Sequence, residues 1–186
     1  MTEAALALLL YFVLPLWVLA GFADYLCHRA TDIEHTTGTR ESLVHLLLFA
    51  EAGIPLLAAL FLEINAGIIL LMIAGLLLHE LTVWLELRYV VSRREVRPVE
   101  QLVHSFLEIL PLTGLLIVLI LKWPQFLALL GLGSEPARFE LVPRVSPLSG
   151  TYIAALLAGV VLLDLAPFVE ELLRGMRARR MAVTAR

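Results

Sequence analysis

The chain turns back on itself within residues 79–108, which read HELTVWLELRYVVSRREVRPVEQLVHSFLE. A helix turns by about 100° per residue, so Glu100, His104 and Glu108 follow one another at offsets of about 40° and form one polar stripe. His79 and Glu86 are seven residues apart and fall within about 20° of each other on the preceding helix. The stretch therefore predicts two helices, joined by an Arg-rich bend, whose imidazole and carboxylate stripes suit a bound metal pair.

The composition of the chain is that of an integral membrane protein. It has 186 residues, of which 60% are hydrophobic, and a mean hydropathy of +0.90, which is far more apolar than a soluble domain of this length requires. The net charge of −3 indicates no nucleic-acid partner. The single cysteine, Cys27, excludes an intramolecular disulfide and is interpreted as a packing residue.

Five stretches have roughly the 20 apolar residues that a bilayer requires. We predict spans at 3–22, 42–62, 68–90, 99–123 and 151–169, and a short interfacial helix at 126–132. No Lys or Arg precedes the first run, so we expect a span there and not a cleaved signal peptide. The predicted fold class is all-α: one membrane domain over 1–186, with the first four spans in a bundle and a basic tail over 174–186.

The arginines predict the orientation of the chain. With the amino terminus outside, the inner segments hold nearly all of them, whereas Lys122, Arg138 and Arg144 are the basic residues that lie outside. The carboxyl terminus, including the tail arginines up to Arg186, is then cytoplasmic. In this topology all five histidines lie at the cytoplasmic ends of spans or in the first cytoplasmic loop, so they share one membrane level.

Carboxylates accompany these histidines on the predicted helices. Asp24 with His28, Glu41 with His45 and Glu100 with His104 are each spaced i, i+4, which places both side chains on one face. Singly, such a pair is more often a helix-surface contact, and a lone interfacial histidine is more often a hydrogen-bonding residue. With the same-face pair of His79 and Glu86, four helices carry such pairs at one depth, which favours a metal site. The candidate ligands are His28, His35, His45, His79, His104, Asp24, Glu41, Glu86, Glu100 and Glu108.

Imidazole and carboxylate together suit iron, zinc or manganese, and helical bundles bind dinuclear metal sites with such residues. We expect two metal ions, with iron as the first choice. Glu51, Glu80 and Asp164 lie deeper or off the main faces, and we interpret them as partners that orient the imidazoles or as helix-packing groups.

The chain loosely resembles the integral-membrane histidine-box di-iron enzymes, the class of fatty acid hydroxylases, desaturases and alkane monooxygenases. The resemblance covers residues 24–108 and depends on Asp24-Tyr-Leu-Cys-His28, Glu34-His35, His79-Glu80-Leu and Glu100-Gln-Leu-Val-His104. The chain departs from that class in having only five histidines and no His-His pair, so carboxylates would replace several imidazoles. The resemblance implies O2-dependent hydroxylation or desaturation of a lipid or other apolar substrate, with an external electron donor.

Other functions use similar residues. A transporter of protons or divalent metal ions also needs buried carboxylates and histidines, although the outer halves of the spans are almost entirely apolar. A zinc-dependent membrane lipid hydrolase places demands on the residues that are close to those of the di-iron enzyme. A b-type haem between two histidines would leave the clustered carboxylates unexplained. The oligomeric state stays open.

Overall fold

The computed structural model describes residues 2–184, so Arg186 of the predicted tail lies outside the described residues. The helices are, in chain order, α1 (Thr2–Ala30), α2 (Thr39–Phe61), α3 (Ala66–Val90), α4 (Pro98–Leu121), α5 (Trp123–Leu129) and α6 (Gly150–Thr184). All except α5 are long and apolar enough to cross a membrane. The prediction of an all-α integral membrane protein with five spans is confirmed, whereas the orientation of its termini stays a prediction.

Two of the spanning helices are much longer than the predicted spans. α1 continues to Ala30 and α6 continues to Thr184, because Ala, Leu, Met, Glu and Arg are good helix formers that extend a helix beyond its apolar part. The extensions place Asp24, His28 and Glu171 on regular helix. The short helix α5 begins at Trp123, three residues before the predicted start, with Pro124 in its first turn.

The spanning helices form a closed ring in which α6 takes part. α1 packs against α4, α4 against α3, α3 against α2, α2 against α6, and α6 against α1. The contact between α2 and α3 is especially close, since a Cβ atom at Gly75 would lie 2.6 Å from Cγ of Pro55. The ring therefore encloses an interior to which every spanning helix contributes side chains.

Loops close the two ends of the ring. At one end, residues 31–38 connect α1 to α2 around the short 3-10 turn Ile33–His35, and residues 91–97 connect α3 to α4. At the other end, the segment after α5 packs on the α2–α3 turn: the Glu63 amide donates to the Val142 carbonyl at 2.8 Å and the Gly67 amide donates to the Arg138 carbonyl at 2.9 Å. Gln125 anchors this segment by accepting from the amide of Arg138.

Two stretches of wider π-helix interrupt the spanning helices, Leu9–Val13 in α1 and Val160–Leu165 in α6. They lie on neighbouring helices, and the Tyr152 hydroxyl donates to the Leu10 carbonyl at 2.7 Å. A π segment shifts the residues that follow it around the helix axis and is often found at functional sites. The segment in α6 contains the buried Asp164.

Candidate functional site: a polar cluster at one end of the helix ring

All five spanning helices bring ionisable side chains together at one end of the ring. We call this set the polar cluster: Asp24 and His28 from α1, Glu41 and His45 from α2, Glu86 from α3, Glu100 and His104 from α4, and Glu171 from α6. The i, i+4 spacing that directs each predicted pair to one face also directs it into the ring. Six of these eight side chains are buried, and Glu86 and His104 are half-buried.

His28 lies at the centre of the polar cluster and is 0% exposed. Its Nδ1 lies 3.0 Å from Oε2 of Glu171, and because a carboxylate can only accept, this nitrogen carries the hydrogen. Its Nε2 is buried without a hydrogen-bond partner among the described residues. That nitrogen is surrounded by carboxylate oxygens, which are Asp24 Oδ1 at 3.6 Å, Glu100 Oε1 at 3.8 Å and Glu41 Oε1 at 3.9 Å.

His45 repeats this arrangement beside His28. The two imidazole rings are stacked with their centroids 4.4 Å apart, and Nδ1 of His45 lies 3.4 Å from the other oxygen of Glu171. Nε2 of His45 lies 3.0 Å from Oε1 of Glu86, yet that oxygen makes no hydrogen bond with any described residue. A single carboxylate, Glu171, thus orients both rings so that their Nε2 atoms point to further carboxylates.

The third imidazole of the polar cluster, His104, contacts the carboxylate of α1. Its Nε2 lies 3.0 Å from Oδ1 of Asp24, which is the same oxygen that lies 3.6 Å from Nε2 of His28. Asp24 therefore connects two imidazoles from two helices, as Glu171 does on the opposite side of His28.

Arg94, from the loop between α3 and α4, closes the polar cluster. Its Nη2 lies 2.6 Å from Oε1 of Glu41 and 2.5 Å from Oε1 of Glu100, and its Nη1 donates to Oε2 of Glu100 at 3.0 Å. Burial alone would lower the pKa of Arg94, but its hydrogen bonds to Glu100 and Glu41 outweigh that effect and raise it. The guanidinium is therefore a permanent cation that offsets part of the carboxylate charge.

The loop of residues 31–38 covers the same end. Ile33 is buried beneath it, the Thr37 hydroxyl donates to Glu41, and Arg174 of α6 pairs with Glu34. Burial would raise the pKa of Glu34, but the hydrogen bond from Arg174 lowers it overall. The polar cluster is thus shielded from the water at this end of the ring.

Towards the middle of the ring, the polar cluster borders a cavity of about 160 Å³, here called the cluster cavity. Asp24, His45, Glu86 and His104 form its polar end, and apolar side chains such as Trp17, Phe49 and Phe168 line most of the remainder. A second cavity of about 130 Å³, the distal cavity, shares Trp17, Leu56 and His79 with it and extends to Lys122 and Arg144. Both cavities are large enough for part of an apolar chain.

Three overlapping sets of His, Asp and Glu side chains have ligand atoms within 4.8 Å of one another and could hold a metal ion. They are Asp24 with His28 and His45, His28 with Glu100 and His104, and Glu41 with His45 and Glu86. The first set shares His28 with the second and His45 with the third, so the donor atoms form one extended group.

The structure brings together seven of the ten candidate ligands and leaves three apart. His79 is half-buried where the two cavities meet and belongs to none of the three sets. Glu108 lies at the edge of the cluster cavity and is exposed on the surface of the ring. His35 is exposed in the loop between α1 and α2. None of these three contacts the polar cluster as the other seven contact one another.

Two residues of this site were not predicted from the sequence. Arg94 is one of the arginines whose placement predicts the orientation of the chain, and a basic residue beside a span is normally explained that way. Glu171 lies beyond the predicted end of the last span. The signal that could have revealed it is its spacing of seven residues from Asp164, which places both carboxylates on one face if the helix continues. Comparison with protein-family models, curated proteins and solved structures finds no match for the chain.

Proposed function

We propose that the protein is a membrane-embedded di-iron oxidoreductase that hydroxylates or desaturates an apolar substrate with O2. The proposal depends above all on Nε2 of His28, which is fully buried, has no hydrogen-bond partner among the described residues and faces three carboxylate oxygens at 3.6 to 3.9 Å. Such an arrangement suits a cation bound at its centre.

Electrostatics supports a metal ion in that position. Because Nδ1 of His28 donates to Glu171, a neutral imidazole directs the lone pair of Nε2 at the three carboxylates, which is repulsive. A proton on Nε2 would remove the repulsion, but the three oxygens are beyond hydrogen-bond length. Ligands that each lie about 2.1 Å from one ion are about 3.0 to 4.2 Å apart, depending on the angle at the ion. The observed distances match that range.

The charge of the polar cluster supports two divalent ions. Five carboxylates and the Arg94 guanidinium leave a net charge of −4 when the imidazoles are neutral, and an uncompensated charge of that size is unfavourable within a bundle of apolar helices. Oε1 of Glu41 and Oε1 of Glu100 each accept one hydrogen bond, from Arg94, and retain a lone pair for an ion. Glu171 would act as the carboxylate that orients the metal-bound imidazoles.

Iron is proposed because mixed imidazole and carboxylate ligands in a helical bundle suit dinuclear iron, and because the cluster cavity supplies space for an apolar substrate. When bound, the iron pair would supply the reduction of O2. For hydroxylation, one C–H bond becomes C–OH, the second oxygen atom leaves as water, and an external donor supplies two electrons with two protons. Trp17, Phe49 and Phe168 would hold the apolar chain beside the polar cluster and exclude water.

The test is elemental analysis by mass spectrometry of the full chain, purified from cells supplied with iron and zinc, with an absorption spectrum of the same sample. We expect about two irons per chain and no haem band. His28→Ala and Glu100→Gln should each lose most of the metal. His35→Ala is the matched control and should retain it, because His35 is exposed outside the polar cluster. Full metal content in both cluster variants, or no metal in the unmodified protein, would overturn the proposal, and zinc alone would favour hydrolysis.

A transporter of protons or divalent metal ions is the second candidate, because polar atoms continue beyond the polar cluster. Glu51 and His79 line the distal cavity, each with a buried atom that has no partner among the described residues, and that cavity extends to Lys122 and Arg144. Flux in proteoliposomes distinguishes the two functions. Proton or metal flux that Glu51→Gln abolishes would support transport, whereas impermeable vesicles that contain iron-loaded protein would support the enzyme.

A further inference from the structure

Asp164 is the acidic residue that lines the cluster cavity from α6, apart from the polar cluster. It is 7% exposed, and its Oδ1 has no hydrogen-bond partner among the described residues. A carboxyl group in such a position carries a large desolvation penalty unless a ligand completes its hydrogen bonds. Asp164 is not a member of the polar cluster, so its presence in the cavity wall requires another explanation.

The surrounding backbone leaves space for this carboxyl group. A Cβ atom at Gly21 would lie 2.4 Å from Oδ1 of Asp164, so α1 accommodates the carboxyl only because residue 21 has no side chain. Gly21 precedes His28 by seven residues, and Asp164 precedes Glu171 by seven. Since His28 and Glu171 are in contact, Gly21 and Asp164 repeat that contact about 10 Å further along the two helices.

A second unpartnered polar atom lies at a similar level. His79 precedes Glu86 by seven residues on α3, lines the cluster cavity, and has an Nδ1 atom that is buried without a partner among the described residues. Glu86 and Glu171 both contact His45, so His79 and Asp164 are displaced from the polar cluster by about the same 10 Å, in the same direction. Two orphaned polar groups at one level of a mostly apolar cavity indicate the position of a polar group on a ligand.

The geometry points to a binding site for an apolar molecule with one uncharged oxygen group, a hydroxyl or a carbonyl, that hydrogen-bonds to Asp164. A lone carboxyl in apolar surroundings is least costly when neutral, and it then donates one hydrogen bond. A hydroxyl or carbonyl accepts that bond, whereas an alkane leaves the carboxyl unsatisfied. The catalytic meaning of this site rests on the proposed function: the oxygen group would be held about 10 Å from the metal ions and would determine which carbon reaches them.

Binding can be measured without metal, so failure of this inference is distinguishable from failure of the proposed function. Trp17 lines the cluster cavity, and bromine quenches tryptophan fluorescence on close approach. In the double variant Trp84→Phe, Trp123→Phe, Trp17 is the sole tryptophan. This protein, stripped of metal by a chelator and kept in detergent, is titrated with a long-chain bromoalkane. A second titration uses the same molecule carrying a terminal hydroxyl. We expect the alcohol to bind about 3- to 10-fold more tightly, the equivalent of one hydrogen bond.

Variants separate this site from a general effect on folding. Asp164→Leu should remove the preference for the alcohol while binding of the bromoalkane persists, and Asp164→Asn should keep part of the preference because an amide also donates. Gly21→Ala should reduce the preference by displacing the carboxyl group, whereas Gly53→Ala, which lines the same cavity with open space around it, should not. Equal binding of alcohol and alkane, an unchanged preference in Asp164→Leu, or tighter binding of a long-chain amine would overturn the inference.

Discussion

The buried carboxylates at the polar end of the helix ring differ from those in its middle in the hydrogen-bond partners that they have. In the polar cluster, Glu41, Glu100 and Glu171 each have at least one cationic or imidazole partner within hydrogen-bond distance. In the middle, Oδ1 of Asp164 has no hydrogen-bond partner among the described residues. Removal of a partnered carboxylate leaves other buried groups unpaired, whereas removal of an unpartnered one removes only a penalty. The two regions should therefore respond to mutation with opposite signs.

Glu171→Leu should have the largest effect, because one carboxylate holds the Nδ1 atoms of both stacked imidazoles. We expect a loss of about 3 to 5 kcal/mol in the free energy of unfolding, as for other broken buried ion pairs, together with loss of metal. Glu170→Gln is the matched control, since Glu170 is the adjacent residue on the same helix with a side chain that is 44% exposed, and its effect should stay below about 1 kcal/mol. Thermal unfolding in detergent measures both. Equal effects of the two variants would contradict the central role of Glu171.

Arg94→Met should have the next largest effect. It leaves Glu41 and Glu100 without their guanidinium, which should destabilise the metal-free protein by about 2 to 4 kcal/mol. Arg94→Lys should restore only part of the lost stability, because a lysine ammonium cannot donate to both carboxylates in the planar geometry of a guanidinium. The control is Arg93→Met, which removes an exposed arginine that stacks on Tyr89. If metal ions supply positive charge at the same carboxylates, Arg94→Met should lose less free energy of unfolding in the metal-loaded protein than in the metal-free protein.

The contrast between the two regions also explains what the sequence could predict. The five spans are evident from hydropathy, and the i, i+4 pairs of Asp24, Glu41 and Glu100 with histidines identify most of the polar cluster, because local spacing determines which side chains share a helix face. Glu171 and Arg94 enter the site through contacts between distant segments, and such contacts depend on how far a helix extends and how a loop folds back. His79 shows the converse, since a same-face pair with Glu86 did not place it in the cluster.

In the middle of the ring, Asp164→Leu should have a smaller effect of the opposite sign. The change removes an unpartnered polar group and adds apolar surface, so we expect the free energy of unfolding to rise by about 1 to 2 kcal/mol. Asp164→Asn keeps the size of the side chain and should give a smaller increase. The same unfolding assay applies, with no ligand present. A loss of stability comparable to that of Glu171→Leu would mean that Asp164 has a structural partner in the folded protein and that the contrast is false.

The smallest effect is expected at the loop that covers the polar cluster, where Glu34 pairs with Arg174. The folded-state pKa of Glu34 lies below its ordinary value of 4.5, so the pair contributes its full stability above that pH and loses it as the pH falls through the lower, folded-state value. Glu34→Gln should therefore be less stable than the unmodified protein by up to about 1 kcal/mol at pH 7, and the difference should shrink at pH values below 4.5. Both proteins contain the same polar cluster. The difference between their free energies of unfolding, measured at each pH, therefore reports the contribution of the Glu34–Arg174 pair. A difference independent of pH would show that Glu34 acts through packing and not through its charge.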